Sequence, residues 1–373
     1  MQTSYELWRQ DDNGNEFMIE IFLSEKEAEE AKKEFEAKGH KQMYWVREKP
    51  DIVTREQVRS RPELFLGGRD EEALSQLVCE VISNSIDVFL RGEANELAVE
   101  VEGAWFRVVD NGTHFCRQRA KEYLTNYHQT ATADAHAPHI HLGPGGVGLF
   151  PVNCCCSRFE IESEDEEGGW RLVFREGVLE SEESIEPPDQ TTVTGVADTK
   201  LFRAYEIPEH RLRRLLFEGV HLFPGLSVAF QEEKFYSENG LSDLAAFEAQ
   251  SDFTALNRVH SQRHFGYNYT DEQVSFIFAC RGSAKEETRF ISWVNGGLTG
   301  LGGSHVEGIK DAIYGLDWKP AVALIHVVMR EPLYAGPVKD ALNVPGLQET
   351  VRDALLEPIQ DYILEQEESE LKV

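Results

Sequence analysis

Glu80-Val81-Ile82-Ser83-Asn84-Ser85-Ile86-Asp87 is the stretch on which the fold turns. Two shorter stretches follow it in order, Asp110-Asn111-Gly112 and Gly143-Pro144-Gly145-Gly146-Val147-Gly148. The first sits in an apolar-periodic run from about Glu71 to Leu90 that stops at Gly92, the pattern of a long helix ended by glycine. At about 100° per residue, Leu74, Leu77, Val78, Val81, Ile82 and Phe89 share one side of that helix. Glu80, Asn84, Asp87 and Arg91 form a polar stripe on the other. Such a stripe faces either solvent or a ligand.

The two later stretches favour a ligand. Asp110-Asn111-Gly112 ends the apolar strand Trp105–Val109. These residue types make a turn on their own. As a binding element, Asp110 would accept a hydrogen bond from an adenine amine and Gly112 would let the backbone approach the ring plane, with Thr192 on a later strand as a second contact. Gly143–Gly148 precedes the helical-looking Leu149–Cys156. Glycines there free backbone N–H groups to surround phosphate oxygens, so Gly143, Gly145, Gly146, Val147 and Gly148 are candidate phosphate contacts. The spacing fits neither a P-loop nor a dinucleotide fingerprint, and alone the loop could be a connector. Together the three segments describe a nucleotide site. Glu80 would polarise a water for attack on a terminal phosphate, Asn84 would offer a neutral oxygen to Mg²⁺, and Asp87 would lie on the same cofactor-facing stripe.

A zinc site is the competing constellation. His114, His128, His136, His139 and His141 lie close together with Cys116 and Cys154–Cys156 nearby, but no C-x-x-C pair, and no H-x₃₋₅-H pair with matching cysteines, is present there. Residues 113–142 show no strong periodicity and read instead as a lid.

Around this site, three units are expected. Residues 1–50 read as a small ββαβ unit: strands at Tyr5–Trp8 and Phe17–Phe22, a helix capped by Ser24 with Glu27 three residues on, and a third strand at Gln42–Arg47. Residues 51–238 read as an α/β unit holding the three segments, and 239–373 as a second α/β unit ending in a helix from about Leu347.

A net charge of −29 argues against a broad grip on DNA by this chain alone. Arg203, Arg211, Arg213, Arg214, Arg258 and Arg263 could form a local basic stripe but are read as solvated surface charges. The six cysteines lack disulfide-framework spacing, which suggests reduced thiols in a cytoplasmic protein. Met1–Gln10 is polar and unlike a signal peptide, and Pro320–Met329 is too short to span a bilayer, so no membrane partner is expected.

In this order the three segments resemble the GHKL ATPases, specifically the ATPase region of the gyrase B and topoisomerase IV type of DNA topoisomerase. Val58–Gly67, Thr191-Thr192-Val193 and Phe223-Pro224-Gly225-Leu226 are similar to further segments of that region. Ser292–Asn295 followed by Gly302–Gly308 is similar to its transducer, and Tyr334–Lys339 falls where the family carries a Gln-Thr-Lys loop. The resemblance implies a Bergerat-type α/β sandwich followed by a transducer with a left-handed βαβ crossover. It implies Glu80 as general base, Asn84 as Mg²⁺ ligand, Asp110 and Thr192 at the adenine, and Lys339 at the terminal phosphate of ATP. It also implies an ATP-dependent homodimer that acts on DNA.

Four departures stand out. Ser83 replaces a usual Asp, and Thr113-His114 replace an Arg-Gly pair. Gly145 replaces the glycine-loop His, and Pro337 replaces the transducer Gln. Residues 1–50 stand in place of the arm that family members exchange. The 373 residues contain no Glu-Gly-Asp-Ser string or Asp-x-Asp pair of the metal-binding TOPRIM domain, so DNA cleavage is expected of a separate partner chain. The alternative is a nucleotide-gated regulatory subunit with little hydrolysis.

Overall fold

The computed structural model describes residues 4–10, 16–22, 24–37, 42–49, 53–112, 115–127, 138, 140–142, 146–250, 264–282, 287–314, 316, 318–336 and 339–371. The chain divides into two compact units, Met1–Val58 and Arg59–Val373.

In the first unit, β1 (Ser4–Gln10), β2 (Glu16–Phe22) and β3 (Met43–Lys49) form an antiparallel sheet in the order β2-β1-β3, with α1 (Glu25–Ala37) between β2 and β3. Ser24 Oγ accepts the N–H of Glu27 at 3.3 Å, as the capping pattern predicts. Leu7 and Ala28 are fully buried and Phe35 stacks on Tyr44, so α1 covers the sheet by its apolar side. The short helix α2 (Arg55–Ser60) leads into the second unit.

The second unit opens with α3 (Glu63–Leu66) and α4 (Glu71–Leu90), followed by the hairpin β4 (Glu96–Glu102) and β5 (Trp105–Asp110). Next come α5 (Arg117–Thr125), α6 (Leu149–Cys155), β6 (Cys156–Asp165), β7 (Gly168–Arg175), β8 (Val178–Ile185) and β9 (Thr191–Ala197). Then follow α7 (Glu209–Leu222), β10 (Ser227–Phe230) and β11 (Glu233–Phe235). These strands form one eight-stranded sheet, β11-β10-β4-β5-β9-β6-β7-β8, antiparallel except where β10 joins β4. Buried residues alternate along β4 and β9, so one face is packed, and α4, α6 and α7 lie against it. Asp70 caps α4 by accepting the N–H of Glu72 at 3.1 Å. By length and composition α4 could cross a membrane, but 78% of its apolar window is buried inside the fold, and it is the core helix of this layer.

The chain continues through α8 (Leu241–Gln250), β12 (His264–Thr270), β13 (Val274–Arg281), β14 (Arg289–Val294), β15 (Gly297–Leu298), β16 (Gly302–Gly303), α9 (Ser304–Tyr314), β17 (Val322–Met329), β18 (Ala341–Leu342) and α10 (Leu347–Leu371). The second sheet runs β12-β13-β17-β14-β15, and β14 and β17 are parallel neighbours joined through α9, the expected βαβ crossover. Its core unites Phe276, Phe278, Ile325 and Val327 with Ile309 of α9 and Leu355 of α10. Glu248 at the end of α8 pairs with Arg214 of α7 at 3.1 Å and Arg289 of β14 at 2.8 Å, tying the two layers of this unit together.

Helix α5 falls inside the stretch expected to lack periodicity. The candidate basic stripe resolves into ion pairs: Arg211 with Glu72, Arg213 with Glu233, and Arg214 with Glu218 and Glu248. Arg258 and Arg263 lie outside the described residues. All six cysteines are free thiols.

Candidate active site

The two carboxylates of the α4 polar stripe face inward, while Asn84 is half-buried and Arg91 exposed. Glu80 is 3% exposed, Asp87 8% and Asp110 6%, which excludes a solvent-facing stripe for the two carboxylates of the helix. Such groups stay buried only where hydrogen bonds or opposite charges meet them, and each has its partners.

Glu80 is met by the glycine loop. Gly146 N–H donates to Oε1 at 2.6 Å, while Val147 and Gly148 donate to Oε2 at 3.1 and 2.9 Å. Gln76, one turn earlier on α4, donates to Oε1 at 2.6 Å. Gly146 (φ 109°) and Gly148 (φ 77°) lie in the region open to glycine, which is how successive N–H groups come to converge on one anion. Gly143 and Gly145 lie outside the described residues.

A cleft opens beside this carboxylate between α4, β5 and β9, and Asn84, Asp87, Asp110 and Gly112 all line it. Its cavity volume is about 90 Å³, smaller than an ordinary ligand pocket. Asn84, which lines the cleft, donates its amide nitrogen to the Glu80 carbonyl at 2.7 Å. Asp87 Oδ1 accepts the N–H of Ile140 at 3.3 Å. Asp110 accepts from Ser85 Oγ at 2.6 Å and from Gly112 N–H at 3.1 Å. Burial pushes the Asp110 carboxyl above its ordinary value, and those two hydrogen bonds oppose the shift. A side chain at position 112 would put its Cβ 2.5 Å from Val88 Cγ1 and 2.9 Å from Asp110 Oδ1, so the backbone can run here only as glycine.

Thr192 is placed differently from expectation. Thr191 and Val193 line the cleft and Thr192 does not, because successive residues of β9 point to opposite faces. Thr191 lies opposite Asp110 in the sheet and shares a 2.8 Å hydrogen bond with Ser163 Oγ. Phe115 and Tyr123, stacked at 5.9 Å, add an aromatic wall that has no counterpart among the residues expected at the site.

Lys339 reaches the same place from beyond β17. Its Nζ lies 3.4 Å from His141 Nε2 and 3.1 Å from where a Cβ on Gly146 would stand. Burial holds the Lys339 ammonium below its ordinary value, while Glu80 pulls the other way. The segment 140–142 is pinned by three consecutive N–H groups: Ile140 to Asp87, His141 to Asn295 O at 2.8 Å, and Leu142 to Ser83 Oγ at 3.0 Å. Ser83, which stands at a position where Asp is usual in the resembled family, thus anchors the segment 140–142. His114, His128, His136 and His139 lie outside the described residues, and among the described residues no cluster of three metal-ligating side chains exists.

A helix carrying a buried carboxylate, a strand-end aspartate, a glycine loop wrapped on that carboxylate and a lysine from beyond β17 together define a known architecture. The chain has the fold of the gyrase B ATPase region. It superposes on the 43K ATPase domain of Thermus thermophilus gyrase B, solved in complex with an aminocoumarin, with a TM-score of 0.68 at 21% identity, covering 84% of this chain and 91% of that one. The DNA gyrase B protein of Myxococcus xanthus gives 0.66 at 21% identity over 81% of this chain and 94% of the other. In sequence the chain resembles the topoisomerase IV B protein of Borreliella burgdorferi, 25% identical over 77% of this chain and 50% of the relative. It also resembles the DNA gyrase B protein of Haloferax volcanii, 28% identical over 69% and 43%. No protein-family model matches. The chain spans about half the length of the curated relatives it matches.

Proposed function

We propose that the chain binds ATP with Mg²⁺ in the α4 cleft and hydrolyses it, as the ATPase part of a topoisomerase-type machine. One observation carries the reading: three distant segments converge, the N–H groups of Gly146–Gly148 bonding to Glu80 and Lys339 Nζ standing 3.1 Å from where a Cβ on Gly146 would be. In this reading Asp110 receives the adenine amine, Asp87 and Gly112 complete the pocket, and Thr192 supports it from behind. Gly143 and Gly145 join the phosphate loop. Glu80 accepts a proton from the attacking water. Lys339 offsets charge growing on the terminal phosphate.

Asn84, which lines the cleft, suits a hard divalent ion, because its amide nitrogen is committed to Glu80 O and its oxygen is what remains. One protein oxygen fits Mg²⁺ only in company with phosphates. The ion would supply charge neutralisation there.

The proposal extends to organisation: residues 1–50 as a separate recognition unit, 51–238 as the nucleotide domain and 239–373 as the transducer. ATP would close two copies into a clamp in the cytoplasm, with DNA and a separate TOPRIM-type or other DNA-processing chain as partners. The deciding experiment measures Mg²⁺-dependent phosphate release from ATP by the full chain. Tight ATP binding with release at background would instead favour a nucleotide-gated regulatory role. The hold of the loop on Glu80 and the changes at Gly145 and Pro337 favour that second reading.

A further inference from the structure

We propose that His141 is a positioning residue for Lys339, holding its ammonium over the glycine loop and releasing it to the terminal phosphate when ATP binds. The proposal rests on the ATP reading of the same site. His141 is buried, and its Nε2 stands 3.4 Å from Lys339 Nζ. Its ring is wedged under the loop, since a Cβ on Gly146 would lie 2.8 Å from Cε1 and 2.9 Å from Nδ1. Its backbone cannot drift, because Ile140, His141 and Leu142 are fastened to Asp87, Asn295 and Ser83. The imidazole therefore sits at a fixed point between Gly146 and Lys339.

The chemistry of the pair sets its role. A lysine ammonium has three protons and no lone pair, so at this contact His141 Nε2 is the acceptor. A buried ammonium without an acceptor is costly. A carboxylate in this place would compete with phosphate for the lysine, whereas a neutral nitrogen satisfies it and yields to an anion. Glu80, which also attracts the lysine, is itself held by the loop and by Gln76.

The test uses the full chain with His141→Ala and His141→Gln, each alone and with Lys339→Ala. Affinity for ADP and for a non-hydrolysable ATP analogue is measured with Mg²⁺, beside kcat and KM for ATP. His141→Ala is expected to weaken the ATP analogue roughly ten- to a hundredfold, the scale of one charge-assisted hydrogen bond, and to lower kcat, while ADP affinity stays at the wild-type value. Unchanged ADP affinity also shows that the variant folds. His141→Gln, whose amide oxygen can accept from the lysine, should recover most of the loss. In the Lys339→Ala background, removing His141 should cost nothing further. Equal losses for ADP and the analogue, or a full His141→Ala effect without Lys339, would overturn the proposal. Wild-type chain that binds neither nucleotide would bring down the ATP reading itself. Wild-type preference for the analogue with no His141 effect would leave that reading standing and remove this one.

Discussion

Glu80 Oε1 accepts the N–H of Gly146 at 2.6 Å, so the carboxylate expected to activate water grips the loop expected to bind phosphate. The same three N–H donors cannot serve both anions at once. A phosphate that takes them over releases Glu80 into the cleft, which couples nucleotide arrival to freeing of the base. Gln76, donating from the preceding turn, keeps one oxygen of Glu80 oriented through that exchange.

Glu80→Ala therefore separates binding from turnover. Phosphate release is expected to fall by a factor of about 10² to 10⁴, the usual worth of a positioned general base. ATP affinity should match or exceed the wild type, because the loop donors lose their internal competitor. Paired phosphate-release and calorimetric titrations check this. Unchanged turnover would remove Glu80 from the role.

Asp110→Asn probes the adenine end. The carboxylate is buried and already receives Ser85 and Gly112, so a purine amine would complete its set of donors. An amide presents one oxygen instead of two, and ATP binding should weaken by about tenfold or more. ADP should lose the same factor, since both share the base. A loss confined to ATP would place Asp110 at the phosphates instead.

Much of this was legible because the signals were local. Helix α4 announces itself through a 3.6-residue period and a terminal glycine, and both survive in the structure. Strand β8 does not, because as a sheet edge it carries Glu180, Glu182 and Glu183 on largely exposed faces and shows no apolar alternation. Helix α5 buries only Ala120 and Leu124, one i,i+4 pair in nine residues, too little for a period to show. Strand β12 does offer a signal, the alternating Phe265, Tyr267 and Tyr269. At the site, the choice between Thr191 and Thr192 hangs on strand parity, which needs the sheet's packed face to be known. His141 is hidden for another reason: its partner Lys339 lies far along the chain, and only the tertiary fold joins them.

Clamp closure predicts a change of mass. Light scattering after size exclusion should report a monomer without nucleotide and a dimer with Mg²⁺ and a non-hydrolysable ATP analogue. A monomer in both conditions would contradict the clamp. A nucleotide-independent dimer would point to an interface that ATP does not control.

The second sheet should make the fold sensitive to acid through His326. This imidazole is buried on β17, its Nε2 accepts the N–H of Gly296 at 3.1 Å, and burial lowers its pKa from 6.5 to about 4. Protonation would turn that acceptor into a second donor facing the Gly296 N–H. Between about pH 6.5 and pH 4 the unfolded chain binds the proton and the folded chain does not, so stability falls as pH falls through this window and is fully present above it. The cost between pH 7 and pH 5 is about 2 kcal/mol from this one group. His326→Gln keeps an acceptor for Gly296 without a titrating proton. Urea midpoints measured at both pH values should therefore drop less for the variant than for the wild type, by about that amount. Equal drops would mean that His326 titrates normally and that its burial is relieved before unfolding. Because Gly296 packs against the backbone of His141, such loosening should also reach the segment that leads into the phosphate loop.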